Sequence, residues 1–182
     1  MPVGGCCLGD EAEGREEVSR IVVCDTGPLL HLSEAGALEF LRQAGDILIP
    51  PVVEHEFVRN TAGFLPPDWI KIFPLGKSIA AEARKWISDD IDAGEAQAIG
   101  LAIQEEAGWF LTDDGRARRF AESLGLEVHG SVGLLLWAVA SGYIKIRAEA
   151  HGLLDALTHS SLWVSQKVLN EANRAVDFLL AE

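Results

Sequence analysis

The sequence predicts an α/β fold in which helices cover both faces of a mainly parallel central sheet. Short apolar runs of strand length, such as Ile21–Cys24 and Trp109–Thr112, alternate along the chain with stretches of helical periodicity. These runs are apolar at successive positions, as is typical of strands buried on both faces. Strands that alternate with helices favour a parallel sheet, because each return to a parallel strand needs a crossover connection.

Length and composition are those of one well-buried domain. The chain has 182 residues, 48% of them hydrophobic, which is enough for one sizeable core and too little for two ordinary domains. The longest apolar run, 132–140, is shorter than the roughly 20 residues that span a membrane, and no signal-peptide pattern opens the sequence. We therefore expect a cytoplasmic protein without a membrane partner, whose three cysteines are reduced thiols.

Three segments differ in their composition. Residues 1–20 combine five acidic and two basic residues with several glycines, which predicts a disordered acidic leader. Residues 21–147 contain all the predicted strands and form the expected folded domain. Residues 148–182 have helical periodicity with no strand between the helices, so we expect a C-terminal helical extension that packs on the domain or on a partner.

The elements follow from where the apolar runs begin and end. The strand Ile21–Cys24 stops before a Gly-Pro pair, and leucines between residues 29 and 41 then predict one or two short helices. A second strand covers 46–50, and the next helix starts at Pro51, where a missing amide hydrogen costs least. Residues 59–77 hold three of the seven prolines and are expected to be irregular. The remaining predicted elements are a strand at 69–73, helices over 77–88 and between 92 and 108, a strand at 109–112, a helix over 116–124, a strand at 126–129, and helices over 131–140, 148–157 and 165–180.

Acidic side chains follow the ends of two predicted strands. Asp25 comes directly after the first strand, and Asp113 and Asp114 follow a later one. In open α/β sheets ligands collect beyond the carboxyl ends of the strands, so these acids lie where a site would be built. Glu56, at the edge of the buried face of its helix, and Glu95, in the first turn of a later helix, are further candidates.

Each of these acids also has an ordinary structural interpretation. Asp25 before a Gly-Pro pair is typical of a helix cap, and Asp92 followed by Glu95 matches a capping box. Asp113 and Asp114 before a glycine are typical of a turn. Several such acids nevertheless fall independently at ends predicted to meet, which favours a shared site that includes either Asp92 or Glu95.

The expected group of carboxylates indicates a divalent cation. Ionised carboxylates brought together repel one another, and burial raises their pKa values, so the group is unfavourable without a cation. Ligands that are all oxygen select a hard metal, so Mg²⁺ or Mn²⁺ is expected, with bound water that can act as a nucleophile. The five histidines lie in different elements without ligand spacing and are interpreted as structural.

Four stretches, taken together and in order, resemble a known family. The succession VVCDTGPLLHL, ILIPPVVEHEF, DAGEAQAIGLA and FLTDDGRARRFAESLGLEVHGSVGLLLWA is similar to PIN domains, in particular to the VapC-like prokaryotic branch with its Gly-Glu-Ala and Asp-Asp-x-x-Ala-Arg signatures. The resemblance covers residues 21–146. It implies a three-layer α/β sandwich with a parallel central sheet and a ribonuclease that depends on Mg²⁺ or Mn²⁺. VapC proteins are the toxins of toxin–antitoxin pairs.

The resemblance also assigns roles by position. Thr26 is implied as a polar helper at the substrate, RNA as the substrate and an antitoxin protein as a partner, and we expect a homodimer. The implied metal ligands are Asp25, Glu95, Asp113 and Asp114, and the implied catalytic residues are Asp25, Glu56, Glu95 and Asp114.

The charge of the chain leaves other functions open. Arg116, Arg118 and Arg119 are the nearest candidates for phosphate contacts, although they also suit a solvated helix face. The net charge of −13 differs from that of a typical RNA binder. A metal-dependent phosphohydrolase acting on a small substrate would suit an acidic surface better, although Asp25 lacks the Asp-x-Asp arrangement of aspartyl-phosphate enzymes. A third interpretation is a catalytically idle PIN-like module that binds a partner through its C-terminal helices.

Overall fold

The structure is a computed structural model that describes residues 19–181. The acidic leader predicted for residues 1–20 therefore lies outside the described residues, apart from Ser19 and Arg20. None of the helices between residues 19 and 181 combines the length and the apolar character needed to cross a membrane.

Parallel strands form the central sheet, and helices flank it. In residues 19–181 the sheet has five strands in the order β3-β2-β1-β4-β5, and each neighbouring pair is parallel. The predicted α/β fold class is confirmed. The strands are β1 (Ile21–Cys24), β2 (Asp46–Ile49), β3 (Ile70–Ile72), β4 (Trp109–Leu111) and β5 (Val128–His129).

The helices occur in the order that the sequence pattern predicts. The region expected to hold one or two short helices contains two. A helix is the next element after each of the five strands, and a loop separates β3 (Ile70–Ile72) from its helix, which starts at Lys77. The helices are α1 (Thr26–Glu34), α2 (Glu39–Ala44), α3 (Pro51–Asn60), α4 (Lys77–Trp86), α5 (Ala93–Gln104), α6 (Gly115–Ser123), α7 (Ser131–Ala140), α8 (Arg147–His159) and α9 (Gln166–Leu179).

Most element boundaries differ from the predicted ones by a few residues, and two of these differences have a clear local reason. The first helix starts at Thr26 instead of Leu29, because the Asp25 side chain caps it directly at the end of β1. The last strand lacks its first two predicted residues. The amide of Leu126 donates to the Ala121 carbonyl at the end of α6, so it is not available to the sheet.

One hydrophobic core extends from the strands to the C-terminal helices. Val22 and Val23 of β1 are fully buried, as expected for an apolar central strand. Leu157 of α8 and Val176 of α9 belong to the same cluster of buried side chains as β1. The two helices predicted as an extension thus share the core, whereas the expected boundary after residue 147 stays a prediction.

The order of the strands determines where a site can form. From β1 the chain proceeds to β2 and β3 on one side of the sheet, whereas β4 and β5 lie on the other side. The connections that follow β1 and β4 therefore diverge, and such a switch point leaves a crevice at the carboxyl ends of the strands. The amide of Asp25 donates to the Leu111 carbonyl at 2.9 Å, which ties the two strand ends together.

Candidate acidic active site

A cavity of about 960 Å³ lies over the carboxyl ends of β1 and β4. Its volume is in the range of pockets that bind small ligands or cofactors. Glu56 is absent from the residues that line this cavity. The acids that line it are Asp25, Asp92, Glu95, Asp113 and Asp114.

Asp25 is the most buried of these acids. Its side chain caps α1, with Oδ1 accepting from the amide of Thr26 at 2.8 Å and Oδ2 accepting from Thr112 Oγ1 at 3.1 Å. Burial raises the pKa of the Asp25 carboxyl to about 7, and the charges of Glu95 and Asp92 add to the rise. Ionised Asp25 is therefore unfavourable at this position unless positive charge is supplied.

Glu95 and Asp92 form the capping box that the sequence indicates. The amide of Glu95 donates to Asp92 Oδ1, and the amide of Asp92 donates to Glu95 Oε2, both at 2.8 Å. The same Glu95 carboxylate faces the other acids. Burial raises its pKa above the usual value, and the charges of Asp92, Asp114 and Glu56 add to the rise. The capping interpretation of Glu95 is thus correct but does not account for the charges around it.

Glu56 lies behind this group, on α3. Thr26 Oγ1 donates to Glu56 Oε2 at 2.5 Å, so the predicted polar helper serves the acid instead of lining the cavity. A Cβ atom at Gly94 would lie 2.9 Å from Glu56 Oε1 and 3.0 Å from Oε2. Glycine at this position therefore allows the start of α5 to approach the Glu56 carboxylate, and glycine in a helix costs about 1 kcal/mol relative to alanine.

Asp114 is exposed and caps α6. Its Oδ1 accepts from the amides of Arg116 at 2.6 Å and Ala117 at 2.9 Å. An acid at a helix N-terminus is favourable because the first amides of the helix have no carbonyl partners and the helix dipole is positive there. The turn that the sequence indicates after β4 is therefore also a helix cap.

Asp113 has a different environment from that of its neighbour. Its Oδ1 accepts from the amide of Ser131 at 2.8 Å, and its Oδ2 accepts from Ser131 Oγ at 2.6 Å and lies 2.7 Å from His31 Nδ1. Gly130 provides no side chain to cap α7, so Asp113 takes that role from another element. A Cβ at Gly130 would lie 2.7 Å from Asp113 Oδ1. Both carboxylate oxygens are engaged, and the metal-ligand role of Asp113 stays a prediction.

The three candidate phosphate-binding arginines separate in space. Arg118 lines the cavity, but its guanidinium donates to the carbonyls of Val128 at 3.0 Å and Thr112 at 3.3 Å. Arg116 forms a salt bridge with Asp90 at 3.0 Å. Arg116 and Arg119 line a second, smaller cavity of about 380 Å³. Arg118 is therefore the one member of this trio next to the acids.

The carboxylate oxygens of these acids are suitable ligands for a hard divalent cation. Glu56, Glu95 and Asp114 each use one carboxylate oxygen for a hydrogen bond, and the other oxygen of each has no hydrogen-bond partner within residues 19–181. Carboxylate oxygens are the preferred ligands of Mg²⁺ and Mn²⁺. As the side chains stand, no three acids, histidines or cysteines in the described part of the chain are close enough to hold an ion. Metal binding would therefore require side-chain rotations that bring these oxygens closer together.

Several residues of the site have no signature in the sequence pattern. Thr112, a fully buried residue directly after β4, is the exception, because a polar residue at the end of an apolar run is a signal in the sequence. The sequence pattern indicates a structural role for His31, and in the fold His31 pairs with Asp113. Gly94, Gly130 and Ser131 act through contacts between distant segments, so their roles are visible only after folding.

Comparison with known families agrees with this fold. A family model described as a PIN domain matches residues 21–177, which is most of the chain and includes α8 and most of α9. The protein therefore belongs to the PIN domain family, whose members are typically nucleases and generally use divalent metals. No curated protein matches the sequence.

Proposed function

We propose that this PIN domain protein is a metal-dependent endoribonuclease and the toxin of a VapBC-like toxin–antitoxin pair. The observation that supports the nuclease activity is the convergence of acids from separate elements on one edge of the sheet. Asp25 follows β1, Glu56 lies on α3, Glu95 opens α5 and Asp114 opens α6. Burial raises the pKa values of Asp25 and Glu95, and the charges of the other carboxylates add to the rise, so this group favours a bound cation.

Asp25, Glu95 and Asp114 would hold Mg²⁺ or Mn²⁺ in this proposal, with Asp113 as the further ligand that the family resemblance implies. When bound, the ion supplies charge stabilisation at the phosphate and a water with a lowered pKa. The protein contributes fixed positions, since Asp25 and Asp114 are each held by backbone amides at a helix start. Glu56, oriented by Thr26, adds negative charge behind the ligands.

The proposed substrate and partners follow from charge and exposed surface. RNA is proposed as the substrate, with Arg118 as the arginine closest to the acids and Arg116 and Arg119 on the adjoining face. The net charge of −13 is complementary to a basic antitoxin segment. Phe178 and Leu179, at the end of α9, are 82% and 41% exposed, and adjoining apolar surface of this kind supports the proposed homodimer. A cytoplasmic location is proposed with this role.

The decisive experiment is single-turnover cleavage of a mixed RNA pool in Mg²⁺, in Mn²⁺ and in EDTA. We expect cleavage with either ion and none in EDTA. The Asp25→Asn/Asp114→Asn double variant should lose activity by about a hundredfold or more, on the scale of losing one electrostatic stabiliser. The Asp68→Asn variant, which changes an exposed acid outside the cavity, is the matched control.

Metal binding is measured separately by thermal unfolding. Saturating Mn²⁺ should stabilise the parent by about 2.7 kcal/mol at a hundredfold excess over its Kd, and the double variant should lose this response. An equal response in both proteins would place the ion elsewhere. Hydrolysis of p-nitrophenyl phosphate without cleavage of RNA would instead indicate the phosphohydrolase.

A further inference from the structure

The cavity above the acids has two chemically different ends. The carboxylates form the floor at the carboxyl ends of β1 and β4, and apolar side chains form a wall beside them. The wall is built from α7, from the connection between α8 and α9, and from the first turn of α9. Its side chains are Val132, Leu136, Leu162, Trp163 and Val168.

Trp163 differs from the other side chains of this wall because it is 84% exposed. Trp86, Trp109 and Trp137 each pack against another aromatic ring, whereas Trp163 has no aromatic neighbour among the residues that the structure describes. A large aromatic face is therefore left open at the rim of the cavity. Exposure of such a face is unfavourable in water and is typical of binding surfaces.

The segment that carries Trp163 is anchored to the domain. The amide of Ser161 and its Oγ both donate to Glu34 Oε2 of α1, at 2.6 and 2.8 Å. The amide of Leu162 donates to Ser160 Oγ at 3.1 Å, and the Leu162 side chain packs against the core. The indole is thus presented on a fixed connection next to the acids.

The surroundings of this face favour an uncharged planar group over a phosphate. Of the three arginines only Arg118 lines the cavity, and its guanidinium already donates to two main-chain carbonyls, so few N–H groups there remain for phosphates. In a chain with a net charge of −13, affinity for nucleic acid must come largely from contacts that do not depend on charge. Stacking of a base on an aromatic side chain is such a contact.

We propose that Trp163 forms a stacking subsite for one unpaired nucleobase in the cavity that the acids also line. This inference rests on the proposed nuclease function, because the phosphate next to the stacked base would lie over the acids. A base inside a duplex is covered on both faces by its neighbours and cannot stack on a side chain. The cavity volume of about 960 Å³ leaves room for a nucleotide.

The test is equilibrium binding of a short single-stranded RNA, measured by fluorescence anisotropy in Ca²⁺ with strand integrity checked on a gel. The Trp163→Ala variant should bind about tenfold more weakly or worse, and Trp163→Phe should restore most of the affinity. Phe64→Ala is the matched control, because Phe64 is 75% exposed and does not line the cavity. It should bind as the parent does.

Abasic substitution identifies the contact in the RNA. One abasic nucleotide in a scan along the strand should weaken binding to the parent about tenfold, yet leave binding to Trp163→Ala unchanged. A parent that is indifferent to abasic positions, or that binds duplex as well as single strand, would overturn the proposal. A lower assembly mass of Trp163→Ala in sedimentation would also overturn it, because the face would then lie between two copies of the chain.

The experiment distinguishes failure of the subsite from failure of the nuclease. If the parent cleaves no RNA but its binding still depends on Trp163 and on one base, the subsite stands and the nuclease proposal fails. If cleavage by the parent and by Trp163→Ala has the same KM and the same kcat, the subsite fails and the nuclease stands. The expected result is a raised KM with kcat nearly unchanged. Melting curves of the variants should match that of the parent, since the indole is exposed.

Discussion

The acid Asp113 and a cluster of four other acids lie at the same edge of the sheet and differ in how the protein satisfies their carboxylate oxygens. In the closed network, formed by Asp113, His31 and Ser131, three donors engage both oxygens of one carboxylate. The open cluster is formed by carboxylates that repel one another and, except for Asp25, leave one oxygen without a protein partner in residues 19–181. Its members are Asp25, Glu56, Glu95 and Asp114.

The contrast is sharpest between the neighbours Asp113 and Asp114. The Asp113 side chain is 11% exposed and joins α1 to α7, whereas Asp114 is exposed and caps its own helix with one oxygen. An acid whose hydrogen-bonding capacity is filled by the protein stabilises the fold. An acid whose side chain is held through one oxygen is fixed in position, and its other oxygen can bind an ion. Removal of charge at buried Asp25 should therefore change stability in the opposite direction from removal of the Asp113 carboxylate.

The largest effect is expected at Asp25 in the absence of metal. Its pKa in the folded protein, about 7, exceeds the value of 3.8 for the unfolded chain, so the folded state favours the protonated form. The stability that this group contributes is full below pH 4 and is lost as the pH rises from about 4 to about 7. At pH 8 in EDTA, Asp25→Asn should therefore be more stable than the parent by about 4 kcal/mol, and at pH 4 the two should be equal.

Urea unfolding of both proteins at the two pH values measures this difference. Added Mg²⁺ should reduce the difference at pH 8, because a cation near ionised Asp25 compensates the cost of its burial. If the parent is more stable than Asp25→Asn at pH 8 in EDTA, the buried Asp25 carboxylate is not destabilised by the other acids and does not belong to the open cluster.

A smaller effect of opposite sign is expected in the closed network. Asp113→Ala should destabilise the protein by about 3 kcal/mol, because it leaves the amide and hydroxyl of Ser131 and a nitrogen of His31 without their acceptor. Asp114→Ala should cost only about 1 kcal/mol, the usual loss of a helix cap. Urea unfolding in EDTA at pH 7 compares the two. Equal losses would mean that the closed network has no special part in holding the fold.

The smallest effect on stability, with a large effect on activity, is expected at Glu95. Glu95→Gln can still accept the hydrogen bond from the Asp92 amide, so unfolding free energy should change by only a few tenths of a kcal/mol. Cleavage of RNA in Mg²⁺ should fall by about a hundredfold or more if the charge holds an ion. Single-turnover cleavage rates and melting curves of the parent and of Glu95→Gln measure the two effects. Unchanged cleavage would leave Glu95 with the capping role alone.

The elements that the sequence predicts well are those specified by local interactions. The strand Ile21–Cys24 and the helix Ser131–Ala140 are observed with the predicted bounds, because their apolar patterns and flanking glycines act over a few residues. The capping box of Asp92 and Glu95 is equally local, since both groups belong to one helical turn. Acids at the ends of parallel strands meet because the strands do, so most of the candidate site follows from the strand assignments.

By itself, the sequence thus determines the α/β class, the strand ends and the acids placed there, because these depend on short-range periodicity and capping. Tertiary structure alone decides which oxygens of those acids are free. Asp113 differs from Asp114 because Gly130 and Ser131, more than fifteen residues away, pack against only one of them. In the same way, a contact between Ser161 and Glu34 fixes the segment that brings Trp163 beside the acids. Such contacts join residues far apart in the chain, and no local pattern specifies them.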